Sequence, residues 1–256
     1  MIYIGYNKRS CITAKALANE LGARTINNKR FKKKPSVFVR WGNSYLESPE
    51  GAIEVNDLEA VKNSSNKLLM ARILSAVPEA KFPKVWFFDD EIDHPSPRSN
   101  SEEYIEEFID LLPSGLYFRN KFNQARLRNF KVEGDMYAVE KIDKIREFRV
   151  HVFQDEIVGV YEKIPYEGNP DYWKDDVCRF KRIDTASKEA LKGTKGIRPA
   201  AKAAVKALGL VFGGADVMID IDGNVFVNEV NTAPSLNTEN VKRFSEKIKE
   251  YVENHH

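Results

Sequence analysis

An Asp222-Gly223 dipeptide between two β-rich runs sets narrow limits on how residues 215–231 (ADVMIDIDGNVFVNEVN) can fold. Asp-Gly flanked by alternating apolar residues is a strong short-range signal for a β-hairpin with a two-residue turn. Such a turn pairs Ile221 with Asn224. Five residues further along each strand, it pairs Asp216 with Glu229. Paired residues share a face of a sheet, as do residues two apart on one strand. Asp216, Glu229 and Asn231 are therefore expected on the same side.

The predicted pairing places two carboxylates side by side, which destabilises a sheet unless a positive charge lies between them. Apolar residues on both faces indicate that the hairpin is buried, and buried unpaired carboxylates are costly. Carboxylate and amide oxygens are ligands that Mg²⁺ or Mn²⁺ prefers, and Mg²⁺ completes its shell with water and substrate phosphates. We therefore predict a metal and phosphate site just before the NTAPSL loop (231–236). The alternative is an exposed hairpin with solvated acids.

Composition limits the remaining classes of protein. The 256 residues include 30% charged and 42% hydrophobic side chains, which is typical of a globular chain with one large domain or two to three small lobes. A net charge of +2 is too small to indicate a nucleic-acid-binding protein. No apolar run approaches the ~18 residues of a membrane-spanning helix. Cys11 and Cys178 predict neither a disulfide framework nor a zinc site, so a cytoplasmic location is expected.

Residues 1–56 have the pattern of a small α/β unit. Strands are predicted at 2–6 and 37–41, and a helix at 10–21 is expected to end at Gly22. Five of the six positions from Lys29 to Lys34 are basic. A run of this kind is commonly a solvated loop, and the alternative is a docking surface for an acidic partner or substrate.

The rest of the chain changes between helical and strand patterns. Helices are predicted at 65–76, from Ser101 onward, at 199–208 and at 238–252. Strands are predicted between 116 and 163. The Gly-, Pro- and Asp-rich residues 165–196 are expected to form a loop.

The segment GGADVMIDIDGNVFVNEVNTAPSL (213–236) resembles the C-terminal signature of the ATP-grasp superfamily. It is most similar to the D-alanine–D-alanine ligases and the ribosomal-protein glutamate ligases. The resemblance implies that Asp216, Glu229 and Asn231 bind two Mg²⁺ ions, or Mn²⁺, which bridge the phosphates of ATP.

Other segments resemble the same superfamily in the same order along the chain. Lys67, in NSSNKLLMARIL, matches a lysine that reaches the nucleotide phosphates, although on residue pattern alone a lysine near a helix start is more often solvent-exposed. YAVEKIDKIREFRVHVF resembles the hinge that receives adenine and ribose. This match implies adenine contacts from Glu140, Lys141 and Ile142, and ribose contacts from Glu147.

Basic residues are the candidates for contacting the transferred phosphate. The resemblance implies this role for Lys163, and Arg149 and Arg119 are further candidates for the same clamp. Alternation predicts that Glu147, Arg149 and His151 share one face of their strand, a pattern that any half-buried strand has. We assign no catalytic role to His151, since a structural histidine would fit equally well.

The sequence departs from the superfamily pattern in two places. The usual strand ending in Lys-Pro and the glycine-rich phosphate loop are replaced by Arg119 and by residues 122–133, which contain no glycine. Side chains such as Lys121, Arg126 or Arg128 would then replace the backbone donors of that loop. In D-alanine–D-alanine ligases an arginine lies two residues before the metal-binding aspartate, and Gly214 occupies that position here. Arg179 or Lys181 is the candidate for supplying the missing charge; otherwise the substrate differs.

These features predict an α/β (α+β) protein with the ATP-grasp fold, in which two α+β lobes sandwich a nucleotide and follow a small N-terminal α/β lobe. The expected divisions are 1–56, 57–141 and 142–256. The implied function is an ATP-dependent carboxylate–amine ligase that forms an acyl phosphate on an amino acid or peptide. The alternatives are an ATP-grasp phosphotransferase and a non-catalytic module that binds a nucleotide or partner. A homodimer is a further expectation from the resemblance.

Overall fold

The computed structural model describes residues 1–7, 11–27, 31, 33–87, 116–120, 136–166, 178–183 and 193–255. Two sequence predictions lie outside these residues, namely the helix from Ser101 onward and the loop 122–133. Lys29, Arg30 and Lys32 of the basic run lie outside them as well. In the described part of the chain, no helix is both long and apolar enough to cross a bilayer.

The first lobe contains a parallel sheet of four strands. The strands are β1 (Ile2–Tyr6), β2 (Arg24–Ile26), β3 (Val37–Trp41) and β4 (Ile53–Val55), in the spatial order β2-β1-β3-β4. Helix α1 (Cys11–Leu21) connects β1 to β2, and Gly22 ends it with a φ of +61°, a conformation that favours glycine. The predicted strands and helix of this lobe are confirmed.

Two short helices follow, where the sequence predicts one. Helix α2 (Leu58–Ser65) begins at an Asp57 cap and helix α3 (Lys67–Ser75) begins at an Asn66 cap, whose side chain accepts from the Leu69 amide. Asn66 has an extended backbone and separates the two helices. Helix α3 therefore starts two residues later than the predicted helix, and helix α2 was not predicted. A 3-10 turn (Pro78–Ala80) comes next.

An antiparallel sheet of three strands lies beyond the helices. It contains β5 (Val85–Phe87), β6 (Leu116–Asn120) and β7 (Met136–Glu140) in the order β5-β7-β6. Residues 141–143 connect this sheet to the five-stranded sheet that follows.

The five-stranded antiparallel sheet carries the residues of the predicted site. Its spatial order is β10-β9-β8-β11-β12, formed by β8 (Lys144–Phe153), β9 (Glu156–Pro165), β10 (Cys178–Arg182), β11 (Phe212–Asp220) and β12 (Val225–Asn231). The prediction that 165–196 forms only a loop is wrong for β10. This edge strand pairs with Tyr161–Pro165 of β9, a long-range partner that local composition does not reveal.

Two helices cover this sheet. Helix α4 (Ile197–Ala207) packs on the face formed by Phe148, Val150, Val152, Val217 and Val230. Helix α5 (Thr238–Glu253) packs against α1 and joins a second core in which Trp41 stacks on Phe212 with ring centroids 4.9 Å apart. The N-terminal lobe and the five-stranded sheet therefore share a hydrophobic core.

The hairpin β11–β12 confirms the predicted pairing through a different turn. The sequence predicts a two-residue turn with Ile221 opposite Asn224, but the last paired residues are Ile219 and Val225. An irregularity between Asp216 and Val217, where Asn228 is the extra residue of β12, shifts the register back by one. Asp216 therefore lies opposite Glu229, as predicted, although the predicted turn is wrong.

Candidate active site

One face of the five-stranded sheet carries a buried cluster of charged side chains. Glu147, Arg149 and His151 of β8 lie on this face, as their alternation predicts, and are only 1%, 5% and 2% exposed. They face away from the apolar side chains that pack on α4. Because buried charges are costly unless they are paired, each of the two charged residues in this set must have a partner.

Asp216 is the centre of the cluster. Arg149 binds both of its oxygens, from Nε to Oδ1 at 2.7 Å and from Nη2 to Oδ2 at 2.8 Å, and Lys163 Nζ lies 2.9 Å from Oδ2. Burial disfavours the charged carboxylate, but Arg149 and Lys163 outweigh it and hold the pKa of Asp216 far below its ordinary value. Asp216 is therefore a carboxylate held by two cations on its own sheet.

Lys163 links Asp216 to Glu147. Its Nζ lies 2.7 Å from Glu147 Oε1, and Lys144 binds the other Glu147 oxygen. Burial alone would lower the pKa of Lys163, but the nearby carboxylates of Asp216 and Glu147 raise it above its ordinary value. The Phe180 ring of β10 lies beside Lys163 and Arg149, with the arginine 5.0 Å from the ring centroid. Lys163 is thus a buried ammonium on this face.

Glu229 has a separate cation. Lys67, the first residue of α3, contacts Glu229 Oε2 at 2.7 Å, and the Asn231 amide donates to Glu229 Oε1 at 3.1 Å. Lys67, followed by smaller contributions that include the Asn231 hydrogen bond, lowers the pKa of Glu229. The positive charge that the sequence predicts beside this pair is thus supplied by Arg149, Lys163 and Lys67, so the pairing of Asp216 with Glu229 does not by itself require a metal ion.

The donor set nevertheless fits a hard cation. Asp216, Glu229 and Asn231 supply two ionised carboxylates and an amide from adjacent strands, which are oxygen ligands of the kind that Mg²⁺ takes. Within the described residues, no group of three or more His, Cys, Asp or Glu side chains could hold a metal ion by itself. The set therefore suits an ion that completes its shell with phosphate and water.

A cavity of about 210 Å³ adjoins Lys67 and Asn231. It lies between the N-terminal lobe, the α2–α3 junction and the segment after β12. The residues that line it are Asn7, Gly42, Ser64, Ser65, Lys67, Val230, Asn231, Thr232 and Ala233. The Ser64 hydroxyl donates to the Val230 carbonyl at 2.6 Å and fixes α2 to β12 beside the cavity.

Solved structures with the same architecture are similar over nearly the whole chain. The ATP-grasp ligase PsnB, complexed with a minimal precursor, matches 97% of this chain and 98% of its own at 13% identity and a TM-score of 0.63. The D-alanine–D-alanine ligase of Bacillus anthracis matches 99% and 97% at 15% identity and a TM-score of 0.65. The macrocyclase MdnC of Microcystis aeruginosa MRC, bound with precursor peptide MdnA, matches 98% of each chain at 12% identity and a TM-score of 0.56.

The chain has the ATP-grasp fold. The sequence matches no protein-family model, and no curated protein is significantly similar to it. The fold prediction made from residues 213–236 is thus confirmed by the architecture, while the roles of individual residues remain proposals.

The predicted nucleotide segment lies between the three-stranded and the five-stranded sheets. Glu140 ends β7, where its amide donates to the Lys84 carbonyl at 2.9 Å, and Lys141 is exposed and lies 3.6 Å from Asp143. The Ile142 carbonyl accepts from the Lys144 amide at 2.9 Å. Both Glu147 oxygens accept hydrogen bonds from lysines, so a ribose hydroxyl that donates to Glu147 would share an oxygen with Lys144 or Lys163.

Arg179 and Lys181, the candidates for a missing positive charge, lie away from the cluster. Arg179 neighbours Phe180 on β10, and Phe180 pairs with Lys163 on the cluster's face. Strand alternation therefore places Arg179 and Lys181 on the opposite face of the sheet. The backbone of Arg119 lies in β6, and its side chain lies outside the described part of the structure.

Gly214 has no room for a larger side chain. A Cβ atom at Gly214 would lie 2.7 Å from Pro234 Cβ and 3.4 Å from the His151 ring, so the NTAPSL loop occupies the space next to this strand. His151 is bound at Nδ1 by Asn240 at 2.9 Å. Burial and then the Arg149 charge lower the pKa of His151 to about 3, which keeps it neutral.

Lys144 belongs to the cluster, yet the strand pattern does not predict it. Simple alternation from Glu147 would place Lys144 on the opposite face. The pairing of β8 with β11 is irregular between Ile219 and Asp220, and Ile145 is the extra residue. This bulge turns Lys144 towards Glu147. In the sequence, the one indication that Lys144 contacts Glu147 is their spacing of three residues, which is a weak signal.

Proposed function

We propose that this chain is an ATP-dependent carboxylate–amine ligase. The observation that carries the proposal is the convergence of Lys67, Arg149 and Lys163 on the opposed carboxylates Asp216 and Glu229. The cations come from two different parts of an ATP-grasp fold, and they outnumber the carboxylates once Lys144 and Glu147 are included. A buried site with excess positive charge is suited to a polyphosphate.

The proposed nucleotide is ATP, held across the junction of the two sheets. The backbone and side chains of Glu140, Lys141 and Ile142 would contact the adenine, and Glu147 the ribose. Asp216, Glu229 and Asn231 would hold Mg²⁺, which neutralises phosphate charge when bound. Similar solved structures support this assignment, since PsnB is complexed with Mg and ADP and the Bacillus anthracis ligase with ATP.

The proposed chemistry has two steps that balance. A carboxylate oxygen of the acyl donor attacks the γ-phosphorus, the bond to the β–γ bridging oxygen breaks, and ADP leaves. An amine then attacks the carbonyl carbon of the acyl phosphate, phosphate leaves with the C–O electron pair, and the amine loses a proton. Lys67, Lys163 and Arg149 would orient and neutralise the transferred phosphoryl group, as such reactions need positioning more than a protein nucleophile.

A turnover assay tests the reaction class. Purified protein with Mg²⁺ and ATP is supplied with an acyl-donor panel, an amine panel, or both, and ADP and free phosphate are measured. A ligase releases phosphate only when both panels are present. A phosphorylated product without free phosphate would show a phosphotransferase instead, and no turnover with any combination would contradict the proposal. A compartment that contains ATP, as the cytoplasm does, is the proposed location.

A further inference from the structure

Phe180 is an apolar residue outside the hydrophobic cores of the described structure. It lies on the edge strand β10, pairs with Lys163 of β9 and is half-buried. Among the described residues, it joins none of the clusters of buried apolar side chains. Packing in a core of the described part of the chain therefore does not account for a phenyl ring at this position.

The ring of Phe180 lies beside two buried cations. The Arg149 guanidinium carbon is 5.0 Å from the ring centroid, and Lys163 Nζ is 5.9 Å from it. Both distances lie within the ~6 Å over which the electron-rich face of an aromatic ring attracts a cation. Arg149 and Lys163 are also the two cations that bind Asp216. One ring therefore contacts both cationic partners of the central carboxylate.

Strand β10 holds the ring in this place. Residues 178–182 pair with β9 along the whole strand. Two residues beyond Phe180, Arg182 binds Glu239 in the first turn of α5. The strand is thus attached to the sheet through its backbone and to a helix through an ion pair. Both attachments keep the ring beside the cations of the cluster.

An aromatic ring suits this position for an electrostatic reason. In the cluster, the carboxylates of Glu147 and Asp216 bind three cations, namely Lys144, Arg149 and Lys163. An acidic side chain at position 180 would balance the excess positive charge, but it would also repel the phosphates of the proposed nucleotide. The face of a phenyl ring attracts the cations without adding a negative charge.

Nucleotide binding would affect the ring contact less than the carboxylate contacts. In the proposed complex Asp216 is a metal ligand, so its oxygens would be shared between the ion and the two cations. An aromatic face is not a ligand for a hard cation, which prefers oxygen atoms. The contact of Phe180 with Arg149 and Lys163 is therefore one for which the ion does not compete.

We infer that Phe180 is a positioning residue, whose ring face holds Arg149 and Lys163 in place for contact with the transferred phosphoryl group. This inference rests on the proposed function, since it adds a residue to that same site. Phe180 acts through the two cations and is assigned no contact with the nucleotide or with the acyl donor.

Stepwise fluorination of the ring tests the inference. Phe180 is replaced by mono-, di- and trifluorinated phenylalanine, which weaken the negative potential of the ring face while its size changes little. ADP formation is measured with the acyl-donor and amine panels. The kcat/KM for ATP should fall with each added fluorine, by about fivefold over the series, which corresponds to about 1 kcal/mol.

Phe148 provides a matched control on the opposite face of the same sheet. The Arg146 guanidinium carbon lies 4.8 Å from the centroid of its ring, a pair of the same kind outside the charged cluster. The same fluorinated residues at Phe148 should leave kcat/KM within about twofold of the unsubstituted protein. A comparison of the two series therefore separates loss of the Phe180 contact from general effects of fluorine.

Two ordinary substitutions separate the ring face from the space that the ring fills. Phe180→Leu keeps an apolar side chain but removes the aromatic face, and it should lower kcat/KM for ATP by about fivefold. Phe180→Tyr keeps the face and should stay within about twofold of the unsubstituted protein. If the side chain only filled space, leucine would be tolerated as well as tyrosine.

A measurement without nucleotide tests the contact itself. In protein labelled with ¹⁵N-arginine, NMR follows hydrogen exchange at Arg149 Nε, which donates to Asp216. The signal is assigned by its absence from Arg149→Lys. Exchange should be at least about threefold faster in Phe180→Leu, because an ion pair that is held less firmly opens more often. Trifluorinated phenylalanine at Phe148 should leave the rate unchanged.

The inference is overturned by a kcat/KM that does not depend on fluorination, by equal losses in the two fluorinated series, or by unchanged Arg149 exchange in Phe180→Leu. Failure of the proposed function gives a different result, namely no ADP formation by the unsubstituted protein. That result would also remove the assigned role of Phe180, whereas the exchange rate would still show whether the ring holds Arg149. The two failures are therefore distinguishable.

Discussion

Asp216 and Glu229 lie opposite each other on neighbouring strands, but they differ in burial and in the cations that they bind. Asp216 is buried and bound by Arg149 and Lys163, whereas Glu229 and Lys67 are about a quarter and a fifth exposed. Removing one partner of a fully buried ion pair leaves an uncompensated charge, whereas the remaining charge of a partly exposed pair can still contact water, so that loss is smaller. The same chemical change should therefore affect stability at one position and activity at both.

Asp216→Ala should lower the free energy of unfolding by about 3–5 kcal/mol. The reason is that Arg149 and Lys163 would remain buried without the carboxylate that both of them bind. Glu229→Ala should lower it by less than about 1 kcal/mol. Urea denaturation of both variants measures the difference. Equal stabilities would contradict the buried network described above.

Glu229→Ala should nevertheless reduce the turnover number by at least about a hundredfold, because it removes a proposed metal ligand and the partner of Lys67. Steady-state ADP formation measures this loss, and circular dichroism checks that the fold is retained. Glu250→Ala, at an exposed position of α5, is the control and should be unchanged. Wild-type turnover by Glu229→Ala would remove Glu229 from the site.

His151 predicts a pH dependence of stability. Its folded pKa of about 3 lies below the ordinary 6.5, through burial and then Arg149, with Asp216 opposing. Between pH 6.5 and about 3, the histidine is protonated in the unfolded chain but neutral in the folded chain. The free energy of unfolding therefore falls as the pH drops below about 6.5. The slope for one such group is about 1.4 kcal/mol per pH unit. His151→Gln should lose stability less steeply between pH 6 and 4 than the unsubstituted protein in denaturant titrations, and identical slopes would contradict the buried neutral imidazole.

At the scale of elements, the sequence predicts the helices and strands that local periodicity determines. It does not predict the features that depend on pairing with a distant strand. Strands β1 and β3 of the N-terminal sheet and helix α5 follow from periodicity, as does the opposition of Asp216 and Glu229, whereas the short strands β2 and β4 were not predicted. The prediction for Asp216 and Glu229 succeeded although the turn was wrong, because a bulge at Asn228 offsets the longer turn. Strand β10 and the orientation of Lys144 depend on a distant partner strand and a bulge at Ile145, which leave no local signature.

The start of helix α3 positions Lys67 and gives a prediction at this scale. Asn66→Ala removes the helix cap and should cost about 1 kcal/mol of stability while raising the KM for ATP several-fold, since Lys67 is the first residue of α3. Asn237→Ala, which removes the equivalent cap of α5, should cost a similar stability without raising that KM. Thermal denaturation and steady-state kinetics measure both, and an equal rise in KM for the two variants would contradict the positioning role of α3.

At the scale of the whole molecule, the site is assembled from segments that are far apart in sequence. Lys67 follows the N-terminal lobe, Arg149 and Lys163 come from β8 and β9, and Glu229 comes from β12. Asn56 secures this assembly, as its side chain donates to the Phe212 carbonyl and accepts from the Val211 and Phe212 amides. Ligand binding to the folded chain should therefore stabilise the molecule as a unit.

The most direct test is the melting temperature with a non-hydrolysable ATP analogue, measured with and without Mg²⁺, in the unsubstituted protein and in Glu229→Ala. At a hundred times its dissociation constant, a ligand that binds only the native state adds about 2.7 kcal/mol of stability. We predict a clear upward shift that requires Mg²⁺ and is lost in Glu229→Ala. No shift at millimolar nucleotide, or a shift of the same size in the variant, would contradict the assignment of this cluster as a Mg²⁺–ATP site.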